Sequence, residues 1–288
     1  MGKDSQERLQ RILAKACERH PHNREIITAF GPILLASRRL APEPPAGQAL
    51  NLDEKSFQAG IPLMRQNDYS ADAPWEALVQ DLIPSIVQGM PTLKADMERL
   101  PAYLSAHPQV LTEIVCADAR MRAELVTHHA TEAGIAAAAL EFVVRTISGT
   151  WLAGQARAWA ELLKGFAWEH GYCPICGTAP MLAHIDEGVP RRWLHCACCG
   201  HAWEFSRVIC PACANTDQKT MTYFFVEDQA EESTFTCDHC RHYLVTVNKV
   251  SDLAEFEADV AALSLIHLDV LMQEKGYHPM ADTAWNAL

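Results

Sequence analysis

Four Cys-x-x-Cys pairs constrain this chain more than any other feature of its sequence. All of them lie between residues 173 and 240 of a chain of 288 residues. A gap of two residues lets both sulfurs of a tight turn face one ion, and two such turns complete a tetrahedron around zinc or iron. The spacing therefore predicts two metal sites of four sulfurs each. The predicted metal ligands are Cys173, Cys176, Cys196, Cys199, Cys210, Cys213, Cys237 and Cys240.

The cysteine region is an internal repeat, which favours pairing in sequence order. The first two Cys-x-x-Cys pairs then hold one ion and the last two hold the other, since an interleaved arrangement needs longer connections. Gly177 and Gly200 follow the second cysteine of their pairs, where a positive φ is often needed. Ala214 and Arg241 occupy those places in the second half. We therefore expect less regular turns there.

Other thiols and imidazoles crowd the same region. Cys198 lies between the predicted ligands Cys196 and Cys199. Two roles are open for it: a free thiol, or a ligand in place of Cys199. Four histidines are interpreted as strand or turn residues, because four sulfurs already complete each site. These histidines are His195, His201, His239 and His242.

The completed four-sulfur sites disfavour metal-assisted hydrolysis. Such a site has no open coordination position at which water could be activated. The remaining roles are structural support, one-electron transfer if the metal is iron, and a platform for a partner. We expect no catalytic residue, and we interpret His128 and His129 as members of a helix face. The chain is therefore not expected to be an enzyme.

The charge of the chain argues against nucleic acid as a partner. The formal net charge is -12 and the pI is about 5.5. Residues 173–250 carry six Lys or Arg and nine Asp or Glu, whereas phosphate binding requires the opposite balance. Arg191 and Arg192 are accordingly expected to be exposed strand charges. Membrane insertion is not expected either, because the most apolar window, 135–154, contains charged residues and fits a buried helix.

Hydrophobic periodicity predicts an α+β fold. Helical patterns occupy the first 170 residues, with a break expected near Gly149 or Gly154 and a proline-rich loop at 42–47. Short alternating segments follow from Gly171, and a helix is expected from Ser251 to Lys275. The predicted organisation is a helical domain (1–170), a first zinc-ribbon-like module (171–208), a second (209–250), and a C-terminal helix and tail (251–288).

The motifs resemble the FdhE family of formate dehydrogenase accessory proteins. The resemblance extends over the whole chain and is strongest around the cysteines and near the C-terminus. The segments that carry it are YCPICGTAP (172–180), WLHCACCGHAWEFSRVICPAC (193–213), CDHCRHYLVTV (237–247) and LDVLMQEKGY (268–277), with a weaker similarity in ERLQRILA (7–14).

The resemblance implies two rubredoxin-like modules that bind iron through the eight cysteines named above. It further implies a cytoplasmic protein that binds the catalytic subunit of a respiratory formate dehydrogenase before export. Zinc remains an alternative to iron, since both accept four thiolates. A homodimer is also left open.

Two other functions remain as alternatives. A rubredoxin-like one-electron carrier would use the same sites, with nearby aromatic side chains shielding the ions from water. A zinc-ribbon nucleic-acid-binding protein is disfavoured by the charge. The candidate shielding residues are Trp193, Trp203, Phe205, Tyr223 and Phe224.

Overall fold

The computed structural model describes residues 3–42, 51–67, 73–226 and 229–286. It confirms the α+β fold; the loop predicted at 42–47 lies, apart from Pro42, outside these ranges. The helices are α1 (Lys3–Arg19), α2 (Arg24–Leu40), α3 (Glu54–Gln58), α4 (Trp75–Gly89), α5 (Lys94–Ala106), α6 (Val110–Cys116), α7 (Ala119–Ala133), α8 (Ala137–Trp159), α9 (Ala258–Ser264) and α10 (Ile266–Glu274). The strands are β1 (Pro180–Asp186), β2 (Arg192–Cys196), β3 (Ala202–Glu204), β4 (Met221–Val226), β5 (Gln229–Cys237), β6 (His242–Val250) and β7 (His278–Pro279).

Helix α8 is the central helix of the N-terminal part, and it does not break where a break was expected. It continues through both Gly149 and Gly154. A Cβ at Gly154 would lie 1.9 Å from the carbonyl oxygen of Pro42, and one at Gly149 would lie 3.1 Å from that of Cys198. The two glycines therefore permit close backbone approach to an intact helix.

The strands of both cysteine modules form one mixed sheet. Its order is β3-β2-β1-β6-β5-β4, and β7 pairs with β6 beside β1. The junction is the parallel pairing of β1 with β6, in which Ala183 lies opposite Thr246. The sequence predicts a hairpin between Cys213 and Cys237 but does not mark the residues of its second strand, β5, because the buried residues there include Ser233, Thr234 and Thr236. Pairing with β4 and β6 on both sides makes this polar segment a central strand.

The sheet is covered on both faces. Leu244 of β6 joins the large core formed with the N-terminal helices, whereas Tyr243 and Val245 pack on the side of α9 and α10. This alternation is the two-residue period of a strand. Sequence pattern alone did not show that both faces of the second module would be buried.

The C-terminal helical segment differs from the prediction in detail. Two helices, α9 and α10, replace the single helix expected from Ser251 to Lys275. Glu255 lies before α9 and forms an ion pair with Lys15 of α1. The described segment 277–286 packs against the fold: Tyr277, Thr283 and Asn286 are buried, and Trp285 makes an edge-to-face contact with Phe30.

One helix pair combines the length and composition of a membrane span with a sharp bend. Within the described ranges, no single helix is both long and apolar enough to cross a membrane. Residues 120–133 and 137–163 satisfy that test only together, and they are bent by 117° relative to each other.

A polar corner joins the turn between α1 and α2 to the sheet and to α10. The imidazole Nε2 of His20 lies 3.5 Å from a carboxylate oxygen of Glu232, and both residues are buried. Ring nitrogens of His22 and His267 are 3.4 Å apart, and the Asn23 amide donates to the Ser264 carbonyl at 2.6 Å. Burial, with smaller contributions from His22 and His267, lowers the pKa of His20 to about 4.

We predict that His20 makes the fold sensitive to acid. Its folded pKa of about 4 lies below the unfolded value of about 6.5, so its contribution is complete above pH 6.5. That contribution is lost as the pH falls from 6.5 towards 4. Urea unfolding at a series of pH values should show that His20→Gln loses less stability over this range than the parent. The exposed His128→Gln serves as control, and equal pH profiles for parent and His20→Gln would contradict the prediction.

Candidate metal centres

The structure brings the eight predicted ligands together in two groups of four, in sequence order. Within each group all four sulfurs lie within 4.8 Å of one another. We call these groups the first quartet (Cys173, Cys176, Cys196, Cys199) and the second quartet (Cys210, Cys213, Cys237, Cys240). The sulfur–sulfur distances include 3.6 Å for Cys173–Cys199, 3.3 Å for Cys176–Cys196, 3.8 Å for Cys210–Cys240 and 3.9 Å for Cys213–Cys237.

These distances fit a metal ion better than a covalent link. A tetrahedron with zinc–sulfur bonds of about 2.3 Å has sulfur–sulfur edges of about 3.8 Å, whereas a disulfide needs about 2.05 Å. All eight cysteines are free thiols. Each quartet could therefore hold one ion, and the donor set suits zinc and iron alike.

All four Cys-x-x-Cys turns have the same backbone geometry, so the expectation of less regular turns in the second half was wrong. The residue after each pair has a positive φ, namely 79° at Gly177, 69° at Gly200, 56° at Ala214 and 59° at Arg241. Its amide donates to the carbonyl of the first cysteine in the pair at 2.8–3.3 Å in every case. The second half thus adopts the left-handed conformation without glycine, at a cost of about 1–2 kcal/mol per residue.

Backbone amides point at the sulfurs within these turns. The amides of Cys198 and Cys199 donate to the sulfur of Cys196 at 3.4 and 3.5 Å. Cys237 receives a further hydrogen bond from the Asn215 side-chain amide at 3.7 Å. Such donors stabilise thiolate relative to thiol, which prepares the quartets for a cation.

Burial opposes ionisation of most of these thiols. It raises the pKa of Cys240 to about 11, and it also raises the pKa of Cys196 and Cys210 above their usual value. A hydrogen bond from Cys173, followed by others from neighbouring thiols, holds the pKa of Cys176 well below its usual value. Four thiolates in one buried group need a compensating cation, so metal binding must be coupled to proton release.

The first quartet is attached to the N-terminal helical part by main-chain hydrogen bonds. The amides of Leu63 and Met64 donate to the carbonyls of Pro174 and Ile175 inside the first turn, both at 2.9 Å. On the other side, the Cys198 carbonyl lies against Gly149 of α8. The first quartet therefore lies at the interface between helices and sheet.

The second quartet is attached to the C-terminal segment through Arg241. The guanidinium of this residue donates to the carbonyl of Lys275 at 3.0 Å and stacks 3.8 Å from the ring centre of Tyr277. The amide of His278 in turn donates to the Arg241 carbonyl at 2.8 Å. Besides its positive φ, Arg241 therefore has a side-chain role that glycine could not fill.

Neither quartet includes a histidine. His195 is buried and forms a 2.7 Å ring-to-ring hydrogen bond with His184. Burial lowers the pKa of His195 to about 3 and that of His201 to about 4, so both are neutral at physiological pH. The neighbouring thiol of Cys176, together with burial, raises the pKa of Cys198 well above its usual value, and Cys198 lines a cavity of about 350 Å³ between α2, α8 and the first quartet.

Two predictions about residues near the quartets were wrong. Arg192 is only 1% exposed, although it was expected at the surface with its neighbour Arg191, whose side chain is 51% exposed. Arg192 shares a strand face with the apolar Leu194, but this weak local signal of burial is outweighed by the usual exposure of charged residues. Of the aromatic candidates, Trp203 is buried as expected, but Phe224 is 38% exposed and cannot shield an ion.

Comparisons with known proteins identify relatives of this chain. Residues 208–285 match the family model described as FdhE, C-terminal domain. Protein FdhE of Escherichia coli O9:H4 (strain HS) is 32% identical over 109 residues, which cover 37% of this chain and 34% of that protein. The Protein FdhE homolog of Shewanella oneidensis is 27% identical over 251 residues, covering 85% of this chain and 76% of the homolog.

A solved structure shows the same overall fold. The crystal structure of the FdhE protein from Pseudomonas aeruginosa superposes with a TM-score of 0.62, covering 99% of this chain and 96% of that one. The sequence identity is 20%, so this match concerns the fold alone.

Fold and site together define a protein with a helical half and two tandem zinc-ribbon-like modules, each with a four-cysteine group that could hold a metal ion. The resemblance to the FdhE family, predicted from the cysteine motifs and their flanks, is confirmed by the family model and the curated relatives.

The left-handed turns give a paired prediction about stability. Ala214→Gly should stabilise the protein by about 0.5–1 kcal/mol, because glycine adopts a positive φ without the Cβ penalty. Gly200→Ala should destabilise it by about 1 kcal/mol, although a Cβ there meets no atom within 4 Å. Urea denaturation of the metal-loaded protein measures both.

The neighbouring Ala212→Gly is the control for the turn. It makes the same chemical change at a residue that is not among those with positive φ, so it should destabilise by about 0.5–1 kcal/mol. If Ala214→Gly destabilised the protein as Ala212→Gly does, the strain at Ala214 would be refuted.

Proposed function

We propose that this protein is a metal-binding accessory factor for the assembly of a respiratory formate dehydrogenase. It binds the catalytic subunit of that enzyme in the cytoplasm before export, and it is not itself an enzyme. The observation that carries the proposal is the pair of four-cysteine quartets in a chain that resembles FdhE over most of its length. The matched segment spans only 34% of the Escherichia coli relative, so the activity and the partner are proposals.

The quartets support a role as closed metal sites. Five of the eight cysteines are exposed by 3% or less, and the sulfur of each of the eight lies within 3.9 Å of another sulfur of its own quartet. Four protein sulfurs leave no coordination position for a substrate or an activated water. We therefore assign the ions a structural role that shapes the surface presented to the partner. We favour iron on the family resemblance, with zinc as the alternative.

The metal assignment predicts a stoichiometry of two ions per chain. Changing Cys173 and Cys176 together to Ser should reduce the metal content from two ions to one, because the first quartet loses half its ligands. The matched control is Cys198→Ser, which removes a thiol from the same region and should leave two ions bound. Elemental analysis and the visible spectrum of protein purified without added metal provide the measurement, and two ions in the double variant would refute the ligand set.

The partner assignment predicts capture of one defined protein. The tagged full-length chain should retain the catalytic subunit of a formate dehydrogenase from a cytoplasmic extract, and deletion of its gene should abolish formate-dependent respiration. Complementation with the parent should restore respiration, whereas complementation with the Cys173→Ser/Cys176→Ser variant should not. Normal formate dehydrogenase activity in the deletion strain would overturn the proposed function.

A further inference from the structure

Arg192 is a buried positive charge at the junction between the two cysteine modules. It lies on β2 of the first module and is 1% exposed. One Nη atom donates to the carbonyl of Ile209 at 2.6 Å and also to that of Ser206. These carbonyls belong to the segment that leads directly into Cys210, the first cysteine of the second quartet.

Two aromatic rings enclose the same guanidinium. Its carbon lies 5.2 Å from the ring centre of Phe205 and 5.4 Å from that of Phe235, so one ring comes from each module. Rings hold a cation in place through their electron-rich faces, but they do not neutralise it. The hydroxyl of Tyr223 adjoins the guanidinium without forming a hydrogen bond of normal geometry.

Nothing else in the described part of the chain balances this charge. The Nε and one Nη atom of Arg192 are buried without a hydrogen-bond partner, and no described carboxylate pairs with them. Removing a cation from water without an anion is costly, so a buried arginine of this kind requires a counter-charge. Its electrostatic partners are the phenol of Tyr223, which has the larger effect, and the thiol of Cys210, which directly follows the Ile209 carbonyl that Arg192 binds.

We propose that Arg192 is the counter-ion of the second quartet when that quartet holds its metal. Four thiolates around a divalent ion leave two excess negative charges in a buried environment. A cation held beside Cys210 stabilises that anionic cluster, and the cluster neutralises the arginine in return. Arg192 thus acts as a positioning residue that sets metal affinity at the second quartet and not at the first.

The inference rests on metal binding by the second quartet, as proposed above. Two substitutions of Arg192 distinguish the effect of its charge from the effect of its hydrogen bonds. Arg192→Gln removes the charge and leaves a shorter side chain that ends in an amide donor. Arg192→Lys keeps the charge but loses the planar fork of donors. The neighbouring Arg191→Gln removes the same charge from an exposed side chain that pairs with Asp186, and it serves as the matched control.

The experiment follows metal release from each quartet separately. Zinc-loaded full-length protein is incubated with a chelator, and thiols that become exposed are alkylated and assigned by peptide mass spectrometry. We expect Arg192→Gln to expose the second quartet about tenfold faster than the parent, the lower end of the effect of removing an outer-shell partner. The first quartet should be unchanged, and Arg192→Lys should recover most of the parental protection.

The alternatives give distinct results. Equal acceleration in Arg192→Gln and Arg192→Lys would show that the hydrogen bonds matter and the charge does not, which would overturn the proposal. Equal acceleration of both quartets, or no acceleration at all, would also overturn it. Absence of zinc protection in the parent would refute the metal sites themselves, a failure distinguishable from failure of the counter-ion role.

Discussion

The parallel pairing of β1 with β6 is the interaction on which the rest of the structure depends. It joins two local cysteine modules into a single sheet. All-parallel sheets occur almost only with both faces covered, and the faces of this junction are covered in the same way. The N-terminal helices supply one cover, and α9 and α10 supply the other. The helical half and the C-terminal segment are thus parts of one packing arrangement around the quartets.

The sequence was sufficient to predict the local features and the membership of the two quartets. Cys-x-x-Cys spacing depends on the geometry of a short turn, so Cys173 and Cys176 could be assigned to one group without knowledge of the fold. The left-handed turns at Ala214 and Arg241 could not be anticipated in the same way. Residue propensity disfavours them, and the hydrogen bonds that enforce them exist only once the turn is folded.

Contacts between residues far apart in the chain explain the other features that the sequence did not predict. Strand β5 is rich in polar residues and is a central strand only because β4 and β6 flank it. Arg192 was taken for a surface charge because charged residues are usually exposed. Its burial depends on Phe235, which is more than 40 residues away in the chain. Likewise, Gly149 and Gly154 are usual helix breakers by composition, but here they are contact points on an unbroken helix.

The attachments of the two quartets have a mechanical consequence. Hydrogen bonds from Leu63 and Met64 link the first quartet to the N-terminal half, whereas Arg241 links the second to the end of α10. A change of metal occupancy in one quartet therefore strains a different surface from a change in the other. Each quartet is tied to its own outer segment, so a distortion of one would reach a different part of the surface first.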